Sequence, residues 1–110
     1  MCFHRDRSPQ SAHEHLTLAL PYRDLIVGVG TDNLEHTGFP NDFAPIFEEA
    51  AKFGFRLTSH CDVNFKTSVE NIKGCLDLLR VERIDHGINV LDNEQLTLHA
   101  RYFFKIIFLI

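Results

Sequence analysis

The strongest constraint in this sequence is an alternation, repeated along the chain, of a short apolar run, a turn and an amphipathic segment. A strand-plus-helix period of about 27 residues leaves room for one crossover, so successive strands run parallel with right-handed connections. The first helix opens at Ser8-Pro9, a cap followed by proline in the first turn. Its apolar residues Ala12, Leu16, Ala19 and Leu20 recur at helical spacing, and Pro21 ends it. Residues 25–30, nearly all apolar and rich in β-branched side chains, read as a strand buried on both faces. Asp42 then caps a second helix with the inner stripe Phe43, Phe47 and Ala50, Pro45 in its first turn and Gly54 as its stop. Residues 55–60 form the next strand. Thr67 and Glu70 fit a capping box for a third helix carrying Val69, Ile72, Leu76 and Leu79. Gly74 in that helix costs up to about 1 kcal/mol relative to alanine. Residues 82–88 form a further strand, Asp92 to Gln95 starts a fourth helix, and residues 102–110 either continue it or form a strand. This is an α/β chain with about four parallel strands and intervening helices. The alternation fits both a doubly wound open sheet and a (β/α)8 barrel.

Composition narrows the function classes. Apolar residues make up 45% and charged residues 24% of the 110 positions, as in ordinary folded proteins, and the length suits one domain over residues 1–110. The net charge of −4 is spread through interleaved acids and bases. There is neither a basic stripe for nucleic acid nor a polybasic membrane patch. Three cysteines without a CxxC pair argue against a disulfide scaffold or a zinc knuckle and suit a reducing cytoplasm. The N-terminal residues are charged where a signal peptide needs an apolar core. The longest apolar run, residues 106–110, falls far short of the roughly 20 residues of a membrane span.

Parallel α/β folds bind ligands beyond the C-terminal ends of their strands. The residues expected there are His4-Arg5-Asp6, Thr31-Asp32-Asn33, His60-Cys61-Asp62 and Asp85-His86-Gly87. Each cluster is titratable or hydrogen-bonding. His60 and Asp62, two positions apart, project to the same side of an extended strand. A strand-end histidine facing inward is either a rigid zinc donor or a satisfied core residue. Asp62 is either a site carboxylate or a turn cap. Gly87 lets the backbone after His86 turn sharply or approach a ligand, and Asp85 faces opposite His86 if the strand stays regular, within reach of Arg83. A neutral histidine near a metal-bound water can position or deprotonate it. Gly28-Val29-Gly30 is not a dinucleotide fingerprint, because Asn33 stands at the third glycine position; crowding of strands around a barrel explains these glycines better. The HxE…PCxxC signature of the cytidine-type zinc deaminases is absent.

Residues 19–35, with Gly28-Val29-Gly30-Thr31-Asp32 at their centre, resemble the adenosine/adenine deaminase family. So do Asp42-Phe43-Ala44, His60 after its apolar strand, and Val81-Glu82-Arg83-Ile84-Asp85-His86-Gly87, all in the family's order across roughly residues 1–100. The resemblance implies a partial (β/α)8 TIM barrel of the metallo-dependent hydrolase group, with this chain matching strands three to six. It implies zinc as cofactor with His60 as a metal ligand, His86 as the catalytic residue that orients or deprotonates the attacking water, and Asp32 and Asn33 as substrate-binding contacts to a purine. The implied reaction is hydrolytic: activated water adds to C6 of adenine, adenosine or an N6-modified relative, and ammonia leaves. The family's general acid is a glutamate three residues after the zinc histidine; here Val63 stands in that place. Asp62, one residue earlier, is the substitute catalytic carboxylate if the strand end is bulged. Of the family's HxH and Asp-Asp ligand motifs, the one HxH here, His13-Glu14-His15, falls within the first helix and not on a strand, and no Asp-Asp pair occurs. The isolated polypeptide is therefore expected to be inactive, since one histidine does not hold zinc against competing ligands. Residues 101–110 leave the family pattern and are apolar and β-prone. Half a barrel would also expose two strand edges, so self-association is expected. Two other readings remain: a non-catalytic half-barrel, and a related metallo-hydrolase with a different substrate.

Overall fold

A computed structural model describes residues 1–62, 64–103 and 105–107, with side chains to Arg101. Its strands are β1 (Cys2–His4), β2 (Gly28–Asp32), β3 (Arg56–Cys61), β4 (Arg83–His86) and β5 (Lys105–Ile107). The helices α1 (Pro9–Ala19), α2 (Phe39–Lys52), α3 (Ser68–Asp77) and α4 (Glu94–Phe103) alternate with them, and two 3-10 turns cover Leu20–Leu25 and Ile88–Asp92. The strands lie in the order β1-β2-β3-β4-β5 and every adjacent pair is parallel. A doubly wound sheet reverses its strand order at a switch point; this one does not. The sequential winding is that of a barrel wall, so the chain is part of a (β/α)8 barrel, with five strands where about four were expected.

The helices pack neighbour against neighbour, α1 on α2, α2 on α3 and α3 on α4, over one face of the sheet. Phe3, Val29, Leu57, Cys61 and Ile84 point into that layer and meet Leu16, Phe39, Phe43, Phe47, Ile72 and Leu79, all buried. The Phe3 and Phe47 rings meet edge to face with centroids 6.2 Å apart. On β3, Arg56, Thr58 and His60 take the alternate positions, on the opposite and less buried face.

Several boundaries differ from those expected. Leu25 and Val27 are 84% and 82% exposed, and the strand begins only at Gly28. Pro21 does not stop the chain turning: it sits at the start of a 3-10 segment that continues from α1 and delays entry into the sheet. Gly28 permits that entry, since a Cβ there would lie 2.4 Å from the Arg56 carbonyl oxygen. Helix α2 begins at Phe39, capped by the left-handed backbone of Gly38 (φ 79°). Asp42 therefore lies inside its first turn, 3.5 Å from His36, and Pro45 lies in the helix interior. The expected capping box does not form: Thr67 takes the cap position of α3 with no side-chain bond, and its Oγ1 is buried without a partner among the described residues. Ser8 accepts from the Ser11 amide as expected, Gly54 turns the chain at φ 85°, and Asn93 caps α4 through the Leu96 amide. No helix among the described residues is long and apolar enough to cross a membrane.

Candidate functional site

The parallel register brings strand-end side chains into one row. His4 pairs with Asp32 across β1 and β2, and His60 pairs with Asp85 across β3 and β4. The row closes between β2 and β3, where Asp32 Oδ1 lies 4.0 Å from His60 Nδ1. On the other side of the same ring, Asp85 Oδ2 lies 3.6 Å from Nε2. His60 is thus flanked by two carboxylates on the open face of the sheet. Asp85 is itself oriented by Arg83, whose Nε is 3.0 Å from Oδ1.

His86 joins this group by breaking the strand's alternation. A regular β4 would send it to the face opposite Asp85. Instead its backbone is left-handed (φ 68°), followed by Gly87 at 59°, and its ring ends 5.1 Å from that of His60, centroid to centroid. Two imidazoles and two carboxylates therefore meet at one strand-end rim. Imidazoles exchange protons near neutral pH and also ligate metals.

Asp62 makes its contacts elsewhere. Its Oδ1 accepts from Arg5 Nη2 at 2.7 Å and its Oδ2 from the Glu35 amide at 3.0 Å. Its own amide donates to Glu35 Oε2, and its carbonyl accepts from Ser68 Oγ. Both carboxylate oxygens are engaged within that network, away from the His60–His86 pair. Position 63, where the family glutamate was expected, lies outside the described residues. Asn33, also left-handed at φ 72°, gives its side-chain amide to Asp6 at 3.1 Å. Of the expected site residues, the structure brings together His60, His86 and Asp32, and sets Asp62 and Asn33 in neighbouring networks.

Those networks centre on Arg5, named from the sequence only as part of its strand-end cluster, and on Glu35, for which the sequence expected no role. Arg5 is fully buried; Nε donates to the Asn33 carbonyl at 2.8 Å, Nη1 to the His60 carbonyl, and Nη2 to Asp62. Its guanidinium lies over the Phe39 ring, 5.0 Å from the centroid. Glu35, also buried, lies 3.6 Å from Arg5 Nη2 and accepts from Asn71 Nδ2 at 2.6 Å. Burial pushes the Glu35 carboxyl above its usual 4.5; the bonds from the Asp62 amide and Asn71 and the charge of Arg5 oppose that rise. The strand-end cluster His4-Arg5-Asp6 was the one signal for Arg5, but it named no partner. Cys61, beside His60 in sequence, faces the helix layer and donates to Cys75 Sγ at 3.8 Å. That hydrogen bond and burial push its thiol well up, so it stays a thiol.

The adenosine deaminase family model matches residues 1–102. The chain belongs to the adenosine deaminase family. An uncharacterized deaminase of Schizosaccharomyces pombe is 44% identical over 96 residues, covering 87% of this chain and 28% of that protein. The adenine deaminase of Geotalea uraniireducens is 41% identical over 96 residues, covering 87% and 26%. Among solved structures, the adenine deaminase of Arthrobacter aurescens superposes with a TM-score of 0.80 at 34% identity, covering 90% of this chain and 30% of that one. An amidohydrolase from Burkholderia ambifaria with bound Zn gives 0.84 at 29%, covering 96% and 29%. The chain spans 26–28% of the length of these two curated relatives.

The family and the zinc-bound relative raise the question of a metal here. A protein zinc site usually takes at least three side-chain donors. Among the described residues no three His, Cys, Asp or Glu side chains are grouped so as to hold a metal ion. These residues do not by themselves form a zinc site.

Proposed function

We propose that this chain is the portion of a hydrolytic deaminase that supplies one wall of the active site, acting on adenine, adenosine or an N6-modified relative. The observation that carries this reading is the pairing of His60 and His86, rings 5.1 Å apart, at the C-terminal ends of adjacent parallel strands. In this reading His60 is one donor to a zinc ion whose other donors come from the remainder of a full-length barrel. His86 receives or returns the proton of the water that replaces the purine amino group. Asp32 and Asn33 edge the purine pocket. Net hydrolysis at C6 consumes one water and releases ammonia, or an amine from an N6-substituted substrate. Asp62 would act as general acid only after release from Arg5 and Glu35; its present bonds favour an anchoring role. The setting is cytoplasmic, and the partner is a small purine rather than nucleic acid or membrane. Alone, the 110 residues are catalytically silent.

The test is ammonia release from adenine, adenosine and N6-methylated analogues by the full-length gene product, with metal analysis. His60→Ala should lose both activity and zinc, and retained zinc would sink the ligand assignment. Activity on a different amine or amide, with none on 6-aminopurines, would point to the related metallo-hydrolase instead. A second reading rests on the sheet itself: β1 and β5 each pair on one side only among the described residues. Those edges favour self-association of the isolated chain. Sedimentation at micromolar concentration should show dimers or larger species, and a clean monomer would refute it.

A further inference from the structure

We propose that Arg5 is a positioning residue for His60, an inference that rests on the functional role just given to His60. A guanidinium presents its N–H groups in one rigid plane, and Arg5 uses all three nitrogens on two neighbouring segments. One takes the Asn33 carbonyl at the end of β2, one the carbonyl of His60 itself, and one the carboxylate of Asp62. The last two acceptors lie at and two residues after His60, so the backbone is held on the C-terminal side of the imidazole. The Arg5 amide adds a bond to the Asp32 carbonyl at 3.0 Å. The ends of β2 and β3 beside the imidazole are thus tied to one residue at β1's exit.

Burial excludes a simpler role. Arg5 has no exposed surface and lies against Phe39, so it does not reach a ligand at the open rim. Core packing alone does not need a buried charge, which costs several kcal/mol to desolvate and is often replaced by apolar residues without loss of stability. The two nearby carboxylates, at 2.7 and 3.6 Å, compensate the charge; the carbonyl contacts are what specify geometry. Lysine, with one nitrogen, cannot span the three acceptors.

The test uses the full-length gene product with Arg5→Lys and Arg5→Met, and Lys52→Ala on the outer face of α2 as control. Substrate turnover and the ring resonances of isotope-labelled histidine are read together, the His60 signals being assigned by their loss in His60→Gln. Both Arg5 variants should lower kcat about 100-fold with KM within about twofold, the scale of an ångström-sized misplacement. Their His60 resonances should shift or broaden while the circular dichroism spectrum and the Lys52→Ala control stay as wild type. Unchanged kcat and unchanged His60 resonances, or a loss confined to melting temperature, would overturn the proposal. If Arg5→Met does not fold, Asp62→Ala removes one of the three ties and should move the same resonances in the same direction. If wild type deaminates no 6-aminopurine, the proposed function falls, and the His60 resonances still decide whether Arg5 orients that ring.

Discussion

Gly74 sets two physical effects against each other, and the structure decides the sign. In an exposed helix interior, Gly74→Ala would stabilise by about 1 kcal/mol. Here α3 crosses α2 at this glycine, and a Cβ added to it would lie 2.9 Å from Pro40 Cβ and 3.0 Å from Pro40 Cγ. Ordinary contact begins near 3.4 Å, so the helices would have to part by about half an ångström. Pro40 cannot swing aside, because its ring is closed on the backbone. Overpacking of this kind costs about 1–3 kcal/mol, which outweighs the propensity gain. Gly74→Ala should therefore destabilise by about 1 kcal/mol net and lower the melting temperature. Thermal melts of wild type, Gly74→Ala, Pro40→Gly and the double variant form a cycle. The coupling should be about 1–3 kcal/mol, with Gly74→Ala turning neutral or stabilising once Pro40 is gone. A rise in melting temperature for Gly74→Ala in the wild-type background would refute the argument.

The buried carboxyl of Glu35 titrates above 4.5 because of desolvation, so the folded state holds its proton more tightly than the unfolded one. Its contribution to stability is most favourable below 4.5 and is lost as pH rises through the raised folded value; Glu35→Gln should remove that slope in denaturation curves collected across this window. The same substitution places an amide NH2 against one of two donors, the Asp62 amide or Asn71 Nδ2, and should cost about 1–3 kcal/mol at neutral pH. At His86, φ is 68°. Asn tolerates that conformation and Val does not, so His86→Asn should keep wild-type stability within about 0.5 kcal/mol and His86→Val should lose about 1–3 kcal/mol. Equal stabilities for the two would show that the turned backbone at β4's end relaxes freely.

The parallel winding was legible because apolar runs and amphipathic segments alternate, and parallel strands deliver their ends to one rim. That made His60, His86 and Asp32 visible as neighbours before any coordinates. The start of β2 was not legible: Leu25 and Val27 look like core, and only the course of the chain after Pro21 leaves them in solvent. Nor was the start of α2, where a left-handed glycine takes the place of a capping side chain. Asp85 and His86 on one side of a strand contradict simple alternation, and local sequence does not announce the backbone turn that allows it. Asp62 was judged from its spacing to His60, whereas its oxygens are claimed by Arg5 and Glu35, partners remote in sequence.

The ties made by Arg5 reach across 28, 55 and 57 residues of chain, and that remoteness governs the order of assembly. β1 leaves the ribosome before β2 and β3, and its arginine meets its full set of acceptors only once residue 62 has followed and β3 has paired with β2. Until then its ties to His60 and Asp62 are unmade, and the loop-closure cost of those contacts is unmet. The guanidinium thus locks β1 to β2 and β3 only after those two strands have met. Weakening the ties should act mainly on how fast β1 peels away, and only slightly on how fast the rest of the wall forms.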